Sequence, residues 1–282
     1  MTNNKIAFQG MLGAYSHKAC IEAFPNMEPL PCKTFADAFK AVQTGKASCA
    51  MIPIDNSIAG RVADIHHLLP KANLKITSEH FIPIHHCLMA IETANMKDIK
   101  TVYSHVHALP QCSKFITKNK LKPVVFEDTA GAAKEISGMK EKTVAAIASA
   151  TAAKIYGLKI LKHNIEDTSN NVTRFIVLEK TAQLPKFKKD KSYITSLIFS
   201  TRNIPAALYK SLGGFATNGI NISKLESYLE GSMFSSASFY CEIESHPEER
   251  LCSIALEELE FFSDTVIIIG TYEKHNYRNK KS

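Results

Sequence analysis

The chain has 282 residues, of which 45% are hydrophobic and 22% charged, a composition that excludes a disordered chain, a collagen and a small disulfide scaffold. No apolar run approaches the roughly 20 residues of a membrane span, and the N-terminus lacks the apolar core of a signal peptide, so we expect a cytoplasmic protein with no membrane partner. The formal net charge of +7 comes from basic residues in 186–191 and 274–281, which predicts a solvated linker and tail and no nucleic-acid partner.

Short apolar strands alternate with amphipathic helices in the first part of the chain. In chain order the pattern predicts a strand at 5–9, helices at 16–24 and 35–44, a strand at 49–54, a helix at 58–69, a strand at 100–103, helices at 109–119 and 129–137, a strand at 144–148 and a helix at 150–156. This alternation predicts an α/β fold with open, mainly parallel sheets. Such sheets bind ligands beyond the carboxyl ends of their strands.

The second part of the chain has a different order of elements. The pattern predicts a strand at 193–200, a helix at 205–217, strands at 220–228 and 236–244 joined by a turn at 230–232, a helix at 247–261 and a strand at 265–272. This βαββαβ order is that of a ferredoxin-like domain.

The boundary between these parts lies at Pro185 and the charged run that follows it. Proline and a run of like charge without hydrophobic periodicity are typical of a linker. We therefore predict a first domain at 5–180, a linker at 181–192, a second domain at 193–273 and a basic tail at 274–282.

Polar residues follow three of the predicted strands, in the turns at 10–16, 55–57 and 104–107. Each turn leads into a predicted helix, whose free N–H groups attract anions. One such turn is usually an ordinary helix cap, but three in one domain favour a small anionic ligand. The Gly10-x-x-Gly13 turn lacks both the third glycine of a dinucleotide loop and the lysine of a P-loop, so we do not expect a nucleotide.

Asn171, Thr173 and Arg174 lie at the entry of an apolar strand predicted within 170–178. A guanidinium beside a hydroxyl and an amide suits the binding of a carboxylate together with a second oxygen atom. This segment is therefore a candidate for the ligand site.

Cysteines and histidines are numerous but do not form a recognisable metal motif. The seven cysteines include no C-x-x-C pair, which indicates reduced thiols. Within the histidine-rich stretch, the adjacent pairs at 66–67 and 85–86 point apart, and no H-E-x-x-H motif is present, so we predict no metal. Cys112, one turn after His107, is predicted to be a core residue and not a thiolate paired with imidazole.

Several short segments of the chain form a pattern of fixed order and spacing. They are Gly-Ala-Tyr-Ser at 13–16, Pro-Ile-Asp-Asn-Ser at 53–57, Ser-His at 104–105 with Gln-Cys at 111–112, Ala-Ala-Ile-Ala-Ser at 145–149, Tyr-Gly-Leu at 156–158 and Asn-Val-Thr-Arg-Phe at 171–175. Together these segments resemble the prephenate dehydratase family with a C-terminal ACT domain. Their order and spacing match the family over nearly the whole chain.

The resemblance implies a two-lobed catalytic domain like a type II periplasmic binding protein, followed by a ferredoxin-like ACT domain. It also implies conversion of prephenate to phenylpyruvate, water and carbon dioxide in L-phenylalanine biosynthesis, with no cofactor. The expected partners are the substrate prephenate, the effector L-phenylalanine and further copies of the chain in a homodimer or homotetramer.

The resemblance also assigns residues to the two sites. Thr173 is expected to donate a hydrogen bond to the departing oxygen. The substrate-binding residues are expected to be Asn56, Ser57, Ser104, Gln111, Arg174, Asp55, Asn171, Phe175, Tyr15, Ser16 and Thr129. The effector-binding residues are expected to be Ala207, Leu208, Asn221, Ile222, Glu226 and Ser227.

The sequence departs from the family pattern at a few of these positions. Asp55 stands where the family more often has Glu, and Val106-His107 replaces a common Pro-Gln. Ala206 stands where many members have Gly, and Tyr228-Leu229 replaces an Arg-Pro pair near the effector site. Two alternatives remain: an arogenate dehydratase, which performs the same chemistry on an aminated substrate, and a non-catalytic module that binds an amino acid or keto acid.

Overall fold

A computed structural model describes residues 4–229 and 237–279 of the chain. The chain forms two compact units: Met1–Val62 with His80–Phe175, and Ala63–Glu79 with Ile176–Ser282. The predicted turn at 230–232 lies outside the described residues. In the described part of the chain, no helix is long and apolar enough to cross a membrane.

The chain up to residue 179 alternates strands and helices. Its strands are β1 (Lys5–Gln9), β2 (Glu28–Cys32), β3 (Cys49–Asn56), β4 (Gly60–Arg61), β5 (Lys75–Pro83), β6 (Cys87–Ala90), β7 (Thr101–His105), β8 (Lys122–Phe126), β9 (Val144–Ala148), β10 (Lys159–Lys162) and β11 (Val172–Glu179). Its helices are α1 (Tyr15–Ala23), α2 (Phe35–Gln43), α3 (Ala63–Leu68), α4 (Ala108–Gln111), α5 (Ser113–Lys118), α6 (Thr129–Met139) and α7 (Ala150–Tyr156).

These strands form two sheets, in the orders β2-β1-β3-β11-β5, with β4 paired to β3, and β10-β6-β9-β7-β8. Strand β1 is parallel to β2 and β3, and β7 is parallel to β8 and β9, whereas β6 is antiparallel to β9 and β10. The α/β prediction and the two-lobed architecture are confirmed, with mixed sheets in place of mainly parallel ones.

The second sheet is apolar on both faces. Cys87 and Met89 of β6 pack with α6 and α7, whereas the alternate residues Leu88 and Ala90 pack with α4 and α5. Successive side chains of a strand point to opposite faces, so a sheet covered on both sides needs uninterrupted apolar strands. Cys112 is fully buried in the second of these clusters, which confirms its prediction as a core residue.

The second unit contains a four-stranded antiparallel sheet. Its elements are β12 (Tyr193–Thr201), α8 (Ala207–Thr217), β13 (Ile222–Leu229), β14 (Ala237–Ile243), α9 (Arg250–Phe262) and β15 (Ser263–Glu273), and the strand order is β13-β14-β12-β15. Phe215 of α8 and Leu259 of α9 are buried against Leu197 and Phe239 of the sheet. This arrangement confirms the ferredoxin-like prediction. Residues 181–192 form no helix or strand.

Several predicted elements were missed or misplaced. Strands β2 and β8 contain prolines, which argue against a central strand, but both lie at sheet edges, where the missing N–H costs no hydrogen bond. The helix predicted at 58–69 begins only at Ala63, because the chain first forms β4 with Gly60 at φ +81°. The helix predicted at 109–119 is divided at Cys112.

The basic tail was predicted to be solvated, and this prediction was wrong for Lys274 and Arg278, which pair with acidic groups. Lys274 lies 3.1 Å from the Glu244 carboxylate. The guanidinium of Arg278 donates to Glu79 at 2.8 Å and to Glu242 at 2.7 Å, and both of these carboxylates are fully buried. Opposite charges within the second unit therefore hold this segment in the fold.

Candidate active site

A cavity of about 340 Å³ lies in the first unit, where the ends of β1, β3 and β11 meet loops of the second sheet. Eight of the residues predicted to bind substrate or act in catalysis line it: Tyr15, Ser16, Asn56, Gln111, Thr129, Asn171, Thr173 and Phe175. These residues come from segments far apart in the sequence, as expected for a site at the strand ends of an α/β fold.

Helix α1 directs its N-terminus to this cavity. Its N-cap residue, Ala14, provides no side-chain cap, so the first-turn N–H groups keep the partial positive charge of a helix start. The preceding Gly13 has φ +93°, and a Cβ there would lie 2.8 Å from the Cα of Ala152. Its carbonyl accepts a hydrogen bond from Ser149 over 2.6 Å. Glycine at 13 therefore sets the approach of α1 to the cavity.

Asn56, at the end of β3, has an amide group with a fixed orientation. Its Oδ1 atom accepts hydrogen bonds from the backbone N–H groups of Ile58, over 3.0 Å, and Ala59, over 2.8 Å. Its Nδ2 atom must therefore donate, and it reaches Oδ1 of Asn171 at 2.7 Å and Oγ1 of Thr173 at 2.9 Å.

The hydrogen bonds continue from Asn171 to two residues beside the second sheet, Gln111 of α4 and His86, which directly precedes β6. Nδ2 of Asn171 donates to Oε1 of Gln111 over 2.6 Å, and Nε2 of His86 lies 3.1 Å from the same oxygen. Nδ1 of His86 lies 2.9 Å from the hydroxyl of Tyr15. We call these six residues the amide network: Tyr15, His86, Gln111, Asn171, Asn56 and Thr173.

Burial controls the protonation of the two titratable members of this network. The pKa of His86 is lowered, mainly because burial disfavours the imidazolium ion. The pKa of Tyr15 is raised well above its usual value by burial and by nearby Cys87, Cys112 and Glu166. Both side chains are therefore neutral near neutral pH.

Four predicted site residues lie outside the cavity lining. Side chains alternate along β11, so Thr173 and Phe175 line the cavity whereas Arg174 is buried on the other face, with Nη1 3.3 Å from Oδ2 of Asp55. Direct contact of Arg174 or Asp55 with a substrate remains a prediction.

The hydroxyl groups of the other two residues are used within the protein. Ser57 donates to the carbonyl of Asn170 over 2.8 Å and accepts from the N–H of Val172 over 2.9 Å. Ser104 is fully buried and donates to the carbonyl of Ile147 over 2.6 Å. They connect strands near the cavity.

Two histidines and two acids line the remaining wall of the cavity. The rings of His105 and His107 are 5.2 Å apart, and the N–H of His107 donates to Nδ1 of His105 over 3.3 Å. Burial and the neighbouring His107 lower the pKa of His105, whereas Asp128 opposes this shift. Glu127 and Asp128 also line the cavity, and Asp128 caps α6 through the N–H of Gly131. Within residues 4–229 and 237–279, the lining contains no lysine or arginine.

Sequence reasoning missed several residues of the cavity lining, and among them His86 is the one that joins the amide network. It was considered only as one half of an adjacent histidine pair, and that pattern concerns metals. In the described part of the chain, no group of three or more His, Cys, Asp or Glu residues has the arrangement to hold a metal ion. The signal that identifies His86 is its hydrogen bonding to residues distant in sequence, which periodicity does not reveal.

The predicted effector residues lie at two places in the second unit. Ala207 and Leu208 begin α8, whereas Asn221, Ile222, Glu226 and Ser227 lie at or on β13. Ala206, before α8, has φ +61°, a conformation that favours the glycine common in the family. The role of all six residues remains a prediction.

The chain is similar in sequence and structure to enzymes of one family. The family model described as prephenate dehydratase matches residues 6–183. A bifunctional N-acyl-homoserine lactone acylase/prephenate dehydratase of Komagataeibacter europaeus is 45% identical over 98% of each chain. Arogenate dehydratase/prephenate dehydratase 1 of Arabidopsis thaliana is 38% identical over 95% of this chain and 71% of that protein. The structure of a prephenate dehydratase from Arthrobacter aurescens in complex with L-Phe has a TM-score of 0.87 and 27% identity, covering 96% of this chain and 90% of that one. The chain therefore belongs to the prephenate dehydratase family of enzymes.

Proposed function

We propose that the chain converts prephenate to phenylpyruvate, water and carbon dioxide without a cofactor. In this reaction the bond between the ring and its carboxylate breaks, and its electron pair enters the ring. The bond from the opposite ring carbon to the hydroxyl group breaks, and the departing hydroxide takes up a proton from solvent to become water. The product ring is aromatic, so the driving force is ample, and catalysis consists of stabilising the charge on the departing oxygen.

The observation that carries this proposal is the hydrogen bond from Nδ2 of Asn56 to Oγ1 of Thr173, 2.9 Å long. Because the Thr173 oxygen is an acceptor in this contact, its own hydrogen is available for another partner. Thr173 lines the cavity, and we assign its hydroxyl to the departing oxygen of prephenate. The pKa of a free hydroxyl lies far above neutrality, so Thr173 donates a hydrogen bond and does not act as a free acid.

The two carboxylates of prephenate need partners in the same cavity. Neutral donors are available from Gln111, Ser16 and Thr129, and the uncapped start of α1 adds its N–H groups. A helix N-terminus stabilises a nearby anion by about 0.3–1 kcal/mol at an exposed position and by more when partly buried. In this proposal neutral donors of the cavity hold the dianion, and Arg174 acts from the opposite face of β11.

Arogenate is the second candidate substrate. It differs from prephenate by an amino group in place of the side-chain keto group, and the name of the Arabidopsis relative includes both activities. The carboxylate of Glu127 at the cavity would attract the ammonium group of arogenate. We place prephenate first because the Komagataeibacter and Arthrobacter proteins are both described as prephenate dehydratases.

Parallel turnover assays of the purified chain test this proposal. Prephenate and arogenate are supplied separately, and phenylpyruvate and phenylalanine are quantified as the respective products. We expect kcat/KM to be higher for prephenate. A higher value for arogenate would reverse the assignment, and no turnover of either would favour the non-catalytic binding module. An N-acyl-homoserine lactone is assayed as a third candidate substrate, because the name of the relative at 45% identity includes an acylase activity on such lactones.

We also propose that the second unit binds L-phenylalanine as an effector and assembles the chain into a homodimer or homotetramer. The structurally similar Arthrobacter protein contains L-Phe, and the βαββαβ unit fits an ACT domain. L-phenylalanine is expected to reduce prephenate turnover. Unchanged turnover at saturating L-phenylalanine would contradict this part of the proposal.

A further inference from the structure

His86 has a buried imidazole that contacts two other members of the amide network. It is 2% exposed, and both of its ring nitrogens lie within hydrogen-bond distance of polar side chains. Its backbone N–H donates to Oε2 of Glu166 over 2.9 Å. His86 is thus held through its backbone N–H and through both of its ring nitrogens.

The direction of the hydrogen bonds between Asn56, Asn171 and Gln111 follows from one fixed end. The backbone N–H groups at Ile58 and Ala59 make Oδ1 of Asn56 an acceptor, so its Nδ2 atom is the donor to Asn171. The atom of Asn171 that accepts this hydrogen bond must be its oxygen, Oδ1. The other atom of the Asn171 amide is therefore Nδ2, which donates to Gln111. Hence the Gln111 atom in this contact is the oxygen, which can only accept.

This polarity determines the tautomer of His86. Nε2 lies 3.1 Å from the Gln111 oxygen, so Nε2 must carry the hydrogen. A neutral ring has one N–H, and burial keeps this ring neutral. Nδ1 is therefore bare. The Tyr15 hydroxyl lies 2.9 Å from this atom and 2.8 Å from the backbone carbonyl of His85, so its one hydrogen is shared between these two acceptors.

The amide nitrogen of Gln111 is left for the ligand. Oε1 of Gln111 receives hydrogen bonds from both His86 and Asn171, and Gln111 lines the cavity. In the described part of the chain, the Nε2 atom of Gln111 has no hydrogen-bond partner. The opposite tautomer of His86 would set its lone pair against the Gln111 oxygen and favour an amide flip. The flipped amide would present oxygen to an anionic ligand.

We propose that His86 is a positioning residue that holds the amide nitrogen of Gln111 toward a carboxylate of the substrate. This inference rests on the proposed function, because it assumes an anionic substrate in this cavity. His86 itself donates to Gln111 and not to the substrate. Its contribution should appear in KM, since it acts on binding of the carboxylate and not on the departing oxygen.

The test uses two uncharged substitutions that keep different halves of the imidazole. Asparagine reaches the position of Nδ1, so His86→Asn keeps a contact for Tyr15 and loses the donor to Gln111. Glutamine reaches the position of Nε2, so His86→Gln keeps that donor. We expect His86→Asn to raise KM for prephenate about tenfold, as for loss of one hydrogen bond to a charged group, with kcat little changed. His86→Gln should restore most of the affinity.

A double-mutant cycle with Gln111→Leu tests whether His86 acts through Gln111. We expect His86→Asn to add no further rise in KM when Gln111 is already replaced. Equal effects of the two His86 variants, or additive losses in the cycle, would overturn the proposal.

The ¹⁵N chemical shifts of the His86 ring in the ligand-free wild type give a readout that does not depend on turnover. We expect a protonated Nε2 and a bare Nδ1. A protonated Nδ1 would overturn the proposal even if the variants fail to fold. If the wild type converts neither substrate, the proposed function fails, whereas the ring shifts still decide the tautomer.

Discussion

The side-chain nitrogen of Asn56 lies 2.9 Å from the hydroxyl oxygen of Thr173, although 117 residues separate them in the sequence. Two backbone N–H groups hold the Asn56 oxygen on the other side of the amide. Donation from Asn56 therefore occupies one lone pair of the Thr173 oxygen and leaves its hydrogen available for another partner, which we propose is the substrate. In this proposal Asn56 orients the Thr173 hydroxyl.

Replacing Asn56 by aspartate should impair catalysis although the side chain keeps its shape. The carboxylate oxygen facing Thr173 accepts the hydroxyl hydrogen, so that hydrogen no longer reaches the departing oxygen. We expect kcat/KM for prephenate to fall about 100-fold or more, as for loss of an oxyanion-type donor. Asn95→Asp is the control, because Asn95 is exposed and caps a short 3₁₀ helix through an acceptor that aspartate retains. Equal activity of the two variants would contradict the role of Asn56.

Much of the fold follows from local sequence patterns. The all-apolar segment Val144–Ala148 is a buried strand, and the elements of the second unit follow the predicted order. The edge strands β2 and β8 were missed because their prolines are acceptable only at an edge, and sheet order is a long-range property.

The site shows the same limit of sequence reasoning. The Asn-Val-Thr-Arg-Phe segment indicated Thr173 as a site residue, and Thr173 lines the cavity. Its neighbour Arg174 instead faces Asp55, because side chains alternate along β11. His86 was missed since its partners, Tyr15 and Gln111, lie in distant segments. Contacts of this kind are determined by tertiary packing.

Glu166 should make stability depend on pH. Burial would raise the pKa of its carboxyl, but hydrogen bonds from the His85 ring and from backbone N–H groups outweigh burial and hold the pKa below its ordinary value. A lowered folded-state pKa stabilises the protein above the unfolded-state pKa, and this contribution is lost as pH falls through the folded-state value. Wild type should therefore exceed Glu166→Gln in unfolding free energy at neutral pH, and the gap should narrow as the pH falls below the ordinary pKa of a glutamate carboxyl.

Denaturant unfolding of both proteins from neutral to acid pH measures this gap. Glu22→Gln removes one exposed carboxylate from α1 and is the control for net charge. A gap between wild type and Glu166→Gln that stays constant with pH would contradict the assignment.

Arg278 should stabilise the second unit. Its guanidinium donates to Glu79 and Glu242, whose side chains are fully buried. Removing one partner of a buried ion pair costs about 3–5 kcal/mol, so Arg278→Gln should lower the unfolding free energy by that amount. Arg202→Gln is the matched control, because Arg202 and Asp264 are 3.6 Å apart and both are exposed. Similar thermal shifts for the two variants would show that the Arg278 pairs add little.

Two neighbouring glycines of α8 should respond in opposite ways to alanine. A Cβ at Gly214 would lie 2.9 Å from Cβ of Glu258 and 3.2 Å from the Cα of Ala255, whereas a Cβ at Gly213 meets nothing within 4 Å. Overpacking costs about 1–3 kcal/mol, and alanine in an open helix position gains roughly 0.5–1 kcal/mol. We expect Gly214→Ala to lower the melting temperature and Gly213→Ala to raise it. The same direction for both would contradict this packing of α8 on α9.

The most direct test of the proposed chemistry compares Thr173→Val and Thr173→Ser in prephenate turnover. Valine keeps the branched shape and removes the hydroxyl, whereas serine keeps the hydroxyl. We expect Thr173→Val to lower kcat about 100- to 1000-fold, while Thr173→Ser stays within about tenfold of wild type. Wild-type kcat in Thr173→Val, with its fold intact, would contradict the claim that this hydroxyl stabilises the departing oxygen.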